Sequence, residues 1–235
     1  MNYFAKKVAA LSTWFSCPQL VWILLFLLLT SIFGTGLVIA RFFVSGRFAY
    51  FNLVWNLILA WVPLGFAILA CREKSSVRTV LVWGFLWLLF FPNCGYIVTD
   101  LVHLRERPPV PFWFDLVLIQ SFILLGLVLG FVSLYKMQDL MANIIGRRAS
   151  WLFVLLVIGL TGFGIYLGRV QRWNSWDLFV SPIALLTDIF SLMFRPHRRT
   201  AGIYSMLYAS FLFAAYACLY LLTHFKNERR IVERN

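Results

Sequence analysis

Long apolar runs constrain the fold of this chain more than any other feature of its sequence. About 20 consecutive apolar residues form a helix that just crosses the roughly 30 Å hydrocarbon core of a bilayer, and such runs recur along the 235 residues. Hydrophobic residues make up 62% of the chain and charged residues 13%, which is too little charge for the surface of a soluble domain. The alternating segments of about ten residues that a membrane β-barrel needs are missing. The sequence therefore predicts an all-α, polytopic transmembrane helix bundle.

The apolar runs predict six spans within a single integral membrane domain, residues 1–235. The spans are expected near residues 20–40, 52–70, 79–98, 112–134, 151–168 and 202–222. A shorter apolar segment, residues 181–194, begins with Ser-Pro, a pair typical of a helix start. Its helical part gives only about 20 Å, too short to cross. We therefore expect an interfacial half-helix there.

Glycine pairs four residues apart occur in the fourth and fifth predicted spans. They are Gly126 with Gly130, and Gly164 with Gly168. Small residues at this spacing allow two helix backbones to approach closely. Both pairs are therefore predicted to lie on packing faces.

The net charge of +12 suggests contact with lipid headgroups rather than with nucleic acid. The basic residues stand between the apolar runs, where positive-inside signals occur, and no basic stripe on a soluble fold exists to bind nucleic acid. With six spans, 12 Lys and Arg residues share the side of the termini and 9 lie on the other side. The excess predicts cytoplasmic termini. If the half-helix crossed, the split would be 11 to 10 and would give no orientation.

Polar residues gather where the third predicted span ends, in the string FPNCGYIVTDLVHL, residues 91–104. Asn93, Tyr96, Asp100 and His103 are three, four and three residues apart, so a continuing helix would place them on one face. Polar groups at membrane depth are functional candidates. Two interpretations remain open. The span either faces a polar pocket, or simply ends there with Asp100 and His103 capping loop amides.

Asp100 and His103 are the candidate acid and base of an enzyme. Their spacing would also suit a metal pair, with Asp115 or Asp177 as a further ligand. Nearby arginines would repel a cation and no dense metal motif is present, so we expect neither a metal nor another cofactor.

A second polar string, YLGRVQRWNSWD at residues 166–177, follows the fifth predicted span. Arg169 and Arg172 lie one turn apart and could bind a phosphate or carboxylate. Each arginine taken alone could instead anchor the span among headgroups beside an aromatic belt. Asn174 and Asp177 extend the string along the interface. We expect the ends of the third and fifth spans to line one outward-facing site, which would bring Asp100 or His103 within side-chain reach of Arg169, Arg172 or Asp177.

These two strings, with FNLVWNLILAWVPL at residues 51–64, closely resemble an uncharacterised family of bacterial integral membrane proteins, a domain of unknown function. The resemblance implies a bacterial inner-membrane location and brings no activity, substrate or cofactor. That family usually has Pro-Asn-Ala-Pro-Tyr where this chain has Pro-Asn-Cys-Gly-Tyr, which argues against a chemical role for Cys94.

Three functions are compatible with the sequence. The first is binding or transport of a small anionic molecule or a lipid headgroup, with membrane lipids as partners. The second is a membrane-embedded enzyme that acts on a lipid-linked substrate at the outer face. The third is a structural or assembly factor whose polar residues only fix helix packing. The broken span and the paired arginines favour the first.

Overall fold

The structure is a computed structural model that describes residues 18–72, 76–194 and 198–232. Within these ranges the chain is helical, apart from short connections and one isolated bridge between Arg107 and Val110. The α-helices are α1 (Pro18–Ser45), α2 (Phe51–Ala70), α3 (Val77–Phe90), α4 (Pro92–Tyr96), α5 (Phe112–Ile145), α6 (Ser150–Tyr166), α7 (Asp177–Val180), α8 (Pro182–Phe194) and α9 (Arg198–Val232). A 3-10 helix, Ile97–His103, continues α4, and a π-helix, Leu167–Gln171, continues α6.

Among the residues that the structure describes, six helical stretches are long and apolar enough to cross a membrane. They are Leu20–Ser45, Phe51–Ala70, Val77–His103, Phe112–Ile145, Ser150–Gln171 and Arg198–Thr223. The predicted all-α polytopic bundle is confirmed. The half-helix also forms, as the 13 residues of α8.

Several spans run further than the sequence suggested, among them the third and the fourth. The third span stays helical to His103 instead of ending near residue 98, because Pro92 occupies the first position of α4, where its missing N–H costs nothing. The fourth continues from residue 134 to Ile145. Its polar residues there do not break a helix, which ends only before Gly146 at a φ of 91°.

The chain divides into two compact units, residues 1–151 and 152–235, which are described separately. In the first unit α2 packs against α3 and α5, and α1 packs against α5. The core is aliphatic, with Leu53, Leu57, Leu118 and Leu129 buried around Phe122. Burial of such side chains follows the interior packing of any helix bundle.

Glycines on α5 let the third span approach closely. A Cβ on Gly130 would come within 2.7 Å of the Cys94 Cβ, and one on Gly126 within 2.6 Å of the Ile97 side chain. The predicted packing face of this glycine pair is confirmed. In addition, the buried Trp87 indole donates to the Ser133 hydroxyl over 3.2 Å, which joins α3 to α5.

The second unit contains α6 to α9. Tyr166, Leu192 and Ala201 form its small buried cluster. A Cβ on Gly162 would meet the backbone carbonyl of Ser205 on α9. This glycine makes a close helix contact that the sequence pattern did not single out, whereas the predicted packing role of Gly164 and Gly168 stays a prediction.

Candidate functional site

Four chain segments of the first unit bring buried polar groups to one end of its helices. The segments are the end of α1, the start of α2, the 3-10 helix with the loop that follows it, and the start of α5. Consecutive membrane helices alternate in direction, so these four ends share one membrane surface. We call the group the polar cluster; its members are Arg41, Tyr50, Asn56, Asp100, His103, Arg107 and Asp115.

The centre of the polar cluster is a buried ion pair between α1 and α5. Arg41 donates from Nε to Asp115 Oδ1 over 2.6 Å and from Nη2 to Oδ2 over 2.9 Å. Both side chains are about 1% exposed. This two-point geometry satisfies both carboxylate oxygens, as a charge pair withdrawn from water requires. The pair therefore fixes the register of α1 against α5.

Tyr50 lies beside this pair and contacts two arginines. The guanidinium carbons of Arg41 and Arg107 each lie 4.9 Å from the centroid of its ring, within cation–π range. The Tyr50 hydroxyl donates to the backbone carbonyl of His103 over 3.3 Å. The phenol thus links α1, the loop after the third span and the 3-10 helix.

The backbone of Tyr50 shows how tightly this position is determined. Its φ of 65° is left-handed, a conformation that a bulky residue adopts only when its surroundings impose it. Burial raises the pKa of the Tyr50 phenol, and the negative charge of Asp115 raises that pKa further. The raised pKa favours the neutral phenol, whose ring serves as a platform for the two arginines.

A second polar contact joins the second and third spans. Asn56 Nδ2 donates to Asp100 Oδ2 over 2.6 Å. The Asp100 side chain is 2% exposed, and its other oxygen lies 3.9 Å from His103 Nε2 on a side chain that is 44% exposed. The buried carboxylate of Asp100 therefore lies next to the partly exposed imidazole of His103.

Arg107 completes the cluster from the loop between the third and fourth spans. The loop folds back through a bridge between Arg107 and Val110, and Val110 is buried. Arg107 is half-buried. Among residues 18–72, 76–194 and 198–232 no carboxylate lies within ion-pair distance of it, and its guanidinium lies over the Tyr50 ring.

The remaining candidates of the third span make local bonds. Asn93 Nδ2 donates to the Phe90 carbonyl over 2.8 Å, which satisfies an acceptor just before Pro92. The Tyr96 carbonyl accepts from the buried Thr99 hydroxyl at 2.7 Å. Asn93 and Tyr96 are both half-buried. Asn93 therefore supports the helix at the proline in addition to any contact with a ligand.

In the second unit, the residues after the fifth span form a compact turn. Arg172 adopts a left-handed φ of 64° directly after the π-helix. Asp177 Oδ2 accepts from the backbone N–H of Asn174 over 2.6 Å and from Asn174 Nδ2 over 3.3 Å. Asp177 thus closes its own turn. Trp173 Nε1 donates to Asp188 Oδ2 over 2.9 Å, which ties the turn to α8. Arg169 is half-buried and Arg172 exposed.

The structure therefore brings Asp100, His103 and Asp115 together in one unit and Arg169, Arg172, Asn174 and Asp177 in the other. The expected shared site between the third and fifth spans stays a prediction. Asp115 has both oxygens on Arg41. Throughout the part of the chain that the structure describes, no three His, Cys, Asp or Glu side chains gather as metal ligands.

The central roles of Arg41, Tyr50 and Arg107 were not predicted from the sequence. The pairing of Arg41 with Asp115 joins residues 74 positions apart, and no local spacing reports such a contact. One signal was available. Arg41 and Asp115 are both charged residues within about one turn of the end of an apolar run, where an unpaired charge is costly.

The polar cluster combines a buried, charge-neutral ion pair with basic side chains that lie nearer to the surface. Arg107 is half-buried, the His103 side chain is 44% exposed, and the exposed Arg47 lies in the neighbouring loop. Guanidinium groups bind phosphates and carboxylates through paired N–H donors. The arrangement is therefore suited to an anionic group at the membrane surface.

Comparison with known proteins identifies a family and no activity. Residues 55–227 match the family described as Protein of unknown function (DUF1361). No curated protein and no solved structure matches the chain.

Proposed function

The chain belongs to the DUF1361 family of proteins of unknown function, and from that premise we propose that its polar cluster binds an anionic group at a membrane surface. The group belongs to a small anionic molecule or to a lipid headgroup. The observation that carries the proposal is Arg107, a half-buried guanidinium that is stacked on Tyr50 and paired with no carboxylate in the described ranges.

The two arginines on Tyr50 take different roles in this proposal. Arg41 is neutralised by Asp115 and has little charge left to offer, so it holds the platform. Arg107 retains its donors and binds the anion, since a guanidinium stacked on a ring keeps its N–H edge available. His103 and Arg47 add positive or hydrogen-bonding character at the rim.

The wider placement of the site is part of the same proposal. The excess of Lys and Arg on the side of the termini supports cytoplasmic termini, which directs the polar cluster outward. The resemblance to a family of bacterial membrane proteins supports an inner-membrane location. Arg169 and Arg172 are separate candidate anion contacts within the second unit. Six spans without a visible repeat are few for a carrier that acts alone, so binding or transport assistance fits better than independent transport.

Lipid retention measured by native mass spectrometry tests the binding role. The wild-type chain, extracted in mild detergent, should retain phosphatidylglycerol in preference to phosphatidylcholine. Arg107→Gln should lose most of that preference, while Arg105→Gln, an exposed neighbour in the same loop, should keep it. Competition by inorganic phosphate would identify a free anion as the ligand. Equal retention by both variants, with no effect of phosphate, would show that Arg107 is not the anion contact.

A second candidate function, lipid-linked catalysis, is supported by one arrangement. Asp100 is buried, held by Asn56 and directed at the exposed His103. A buried carboxylate that orients an accessible imidazole is the arrangement of a general base. The present 3.9 Å separation is longer than a hydrogen bond, and substrate would have to shorten it.

Product analysis separates catalysis from binding. Purified protein would be incubated with an inner-membrane lipid extract, and products would be followed by mass spectrometry. An enzyme predicts new products from the wild type that disappear in Asp100→Asn and His103→Gln at normal folded yield. If neither variant changes the lipid profile, while Arg107→Gln still abolishes lipid retention, the cluster binds without catalysing.

A further inference from the structure

Helix α8 of the second unit carries an exposed apolar stripe that is independent of the polar cluster. Ile183, Leu186 and Phe190 are 80%, 49% and 63% exposed. At 100° per residue these positions fall within about 60° of one another around the helix. An exposed stripe of this kind on a soluble surface would mark a contact site, so the question is what covers it.

The other sides of α8 show that the helix has a fixed rotation. Leu185 and Leu192 are buried and lie on the side opposite to the stripe. Leu192 belongs to the cluster that contains Tyr166 and Ala201. Asp188 accepts the Trp173 indole N–H over 2.9 Å, so the one carboxylate of the helix is turned towards its own unit. The stripe therefore cannot turn inward without breaking these contacts.

Small and polar residues occupy the side between the stripe and the buried face. Ala184 and Thr187 are exposed there, and Ser191 is half-buried. The helix thus has three faces, one packed on its unit, one fully apolar and one weakly polar.

The length of α8 and its position between two spans indicate that the lipid bilayer covers the apolar stripe. The 13 residues of α8 extend about 20 Å and cannot cross a hydrocarbon core of about 30 Å. In the chain, α8 is flanked by two stretches that are long and apolar enough to span, Ser150–Gln171 and Arg198–Thr223. Both connections around α8 are short, which keeps the helix at the membrane surface where those spans end and begin.

We propose that α8 lies in the interface of one leaflet, with Ile183, Leu186 and Phe190 inserted among lipid acyl chains and the bond from Trp173 to Asp188 fixing that rotation. The partner is the bilayer itself. As a consequence the chain does not cross at residues 181–194, six spans remain, and both termini lie on the same side of the membrane.

Photocrosslinking in intact membranes tests this inference. Benzoylphenylalanine would replace Ile183, Phe190 or Ala184 in separate full-length variants, and adducts would be identified by mass. All three positions are exposed, so the label is tolerated sterically. Ile183 and Phe190 should give lipid adducts at least several-fold more often than the matched control at Ala184.

Three other outcomes would overturn the proposal. Adducts between two copies of the chain at Ile183 and Phe190 would identify a second copy as the cover. Equal lipid adducts at all three positions would indicate that the helix is immersed on every side. Loss of lipid adducts at Ile183 and Phe190 in wild-type-like folded protein would place the stripe in water. Trp173→Phe should lower the ratio of lipid adducts at Phe190 to those at Ala184. An unchanged ratio would show that the Trp173 indole does not fix the rotation of α8.

Discussion

The two units organise their polar residues in different ways. In the first, charges are buried and joined across long stretches of sequence, as Arg41 is to Asp115 and Asn56 is to Asp100. In the second, the bonds join residues closer in sequence: Asp177 accepts from Asn174, three positions earlier, and Asp188 accepts from Trp173, fifteen positions earlier. The difference follows from depth, because a charge withdrawn from water needs a strong partner wherever the fold provides one, whereas a half-exposed charge can use water. Buried polar contacts therefore hold the first unit together, and exposed ones shape the second.

The largest expected effect comes from removing one partner of the buried ion pair. Asp115→Asn should destabilise the protein by about 3–5 kcal/mol, because Arg41 is left as an uncompensated buried charge. Asp177→Asn, the matched change in the second unit, should cost less than about 1 kcal/mol. Unfolding by denaturing detergent, followed by circular dichroism, measures both. Equal losses of stability in Asp115→Asn and Asp177→Asn would show that the two units do not differ in how strongly they depend on their charged groups. The double variant Arg41→Met with Asp115→Leu should recover most of the stability if the unpaired charge is the cause.

The contact between Asn56 and Asp100 comes next. Asn56→Ala should cost about 1.5–3 kcal/mol, since a hydrogen bond to a buried carboxylate is lost. Asn52→Ala, one turn earlier on α2 and exposed, is the control and should be close to neutral. The same detergent unfolding midpoint reports both variants. If the two substitutions are equally mild, the Asp100 carboxylate is stabilised without Asn56.

Substitutions of closely packed glycines test whether the two units differ in helix packing as well as in the burial of charge. Gly130→Ala in the first unit and Gly162→Ala in the second should each cost about 1–3 kcal/mol, because the new methyl meets Cys94 or the Ser205 backbone. Gly159→Ala has open space around it and should be neutral or slightly stabilising. Thermal aggregation temperatures give the ranking. A tolerated Gly162→Ala would show that the second unit is also looser in its helix contacts.

The smallest expected effect is that of the indole bond in the second unit. Trp173→Phe should lower stability by only about 0.5–1.5 kcal/mol, the net value of one such hydrogen bond. Trp87→Phe removes the corresponding bond to Ser133 in the first unit, where both groups are buried, and should cost more. A larger loss of stability for Trp173→Phe would contradict the view that polar contacts stabilise the first unit more than the second.

The architecture could be predicted because long apolar runs have one physical solution in a bilayer. The helices α1, α2, α8 and α9 form where apolar composition and length indicated them. The extension of α5 to Ile145 was missed because Lys136 and Gln138 look like the end of a span, yet both are buried. Composition does not reveal that a polar residue past the apolar run still packs inside the fold.

The polar cluster was only partly predictable. The spacing of Asp100 and His103 correctly placed them on neighbouring turns, and their function stays a prediction. Tyr50 could not be identified, because its importance comes from a left-handed backbone and from arginines in two distant segments. Contacts of this kind depend on how helices are arranged in space, and a single sequence does not contain that information.

The most direct test of anion binding is a distance between lipid phosphorus and arginine nitrogen. Protein labelled with ¹⁵N in its arginine side chains would be placed in phosphatidylglycerol bilayers, and ¹⁵N–³¹P dipolar couplings would be measured by solid-state NMR. We expect a guanidinium-to-phosphate contact of about 4 Å, as a charge-assisted hydrogen bond requires, which Arg107→Gln removes and Arg105→Gln leaves in place. A coupling pattern that is identical in the wild type and in Arg107→Gln would contradict the proposal that the polar cluster binds an anion through Arg107.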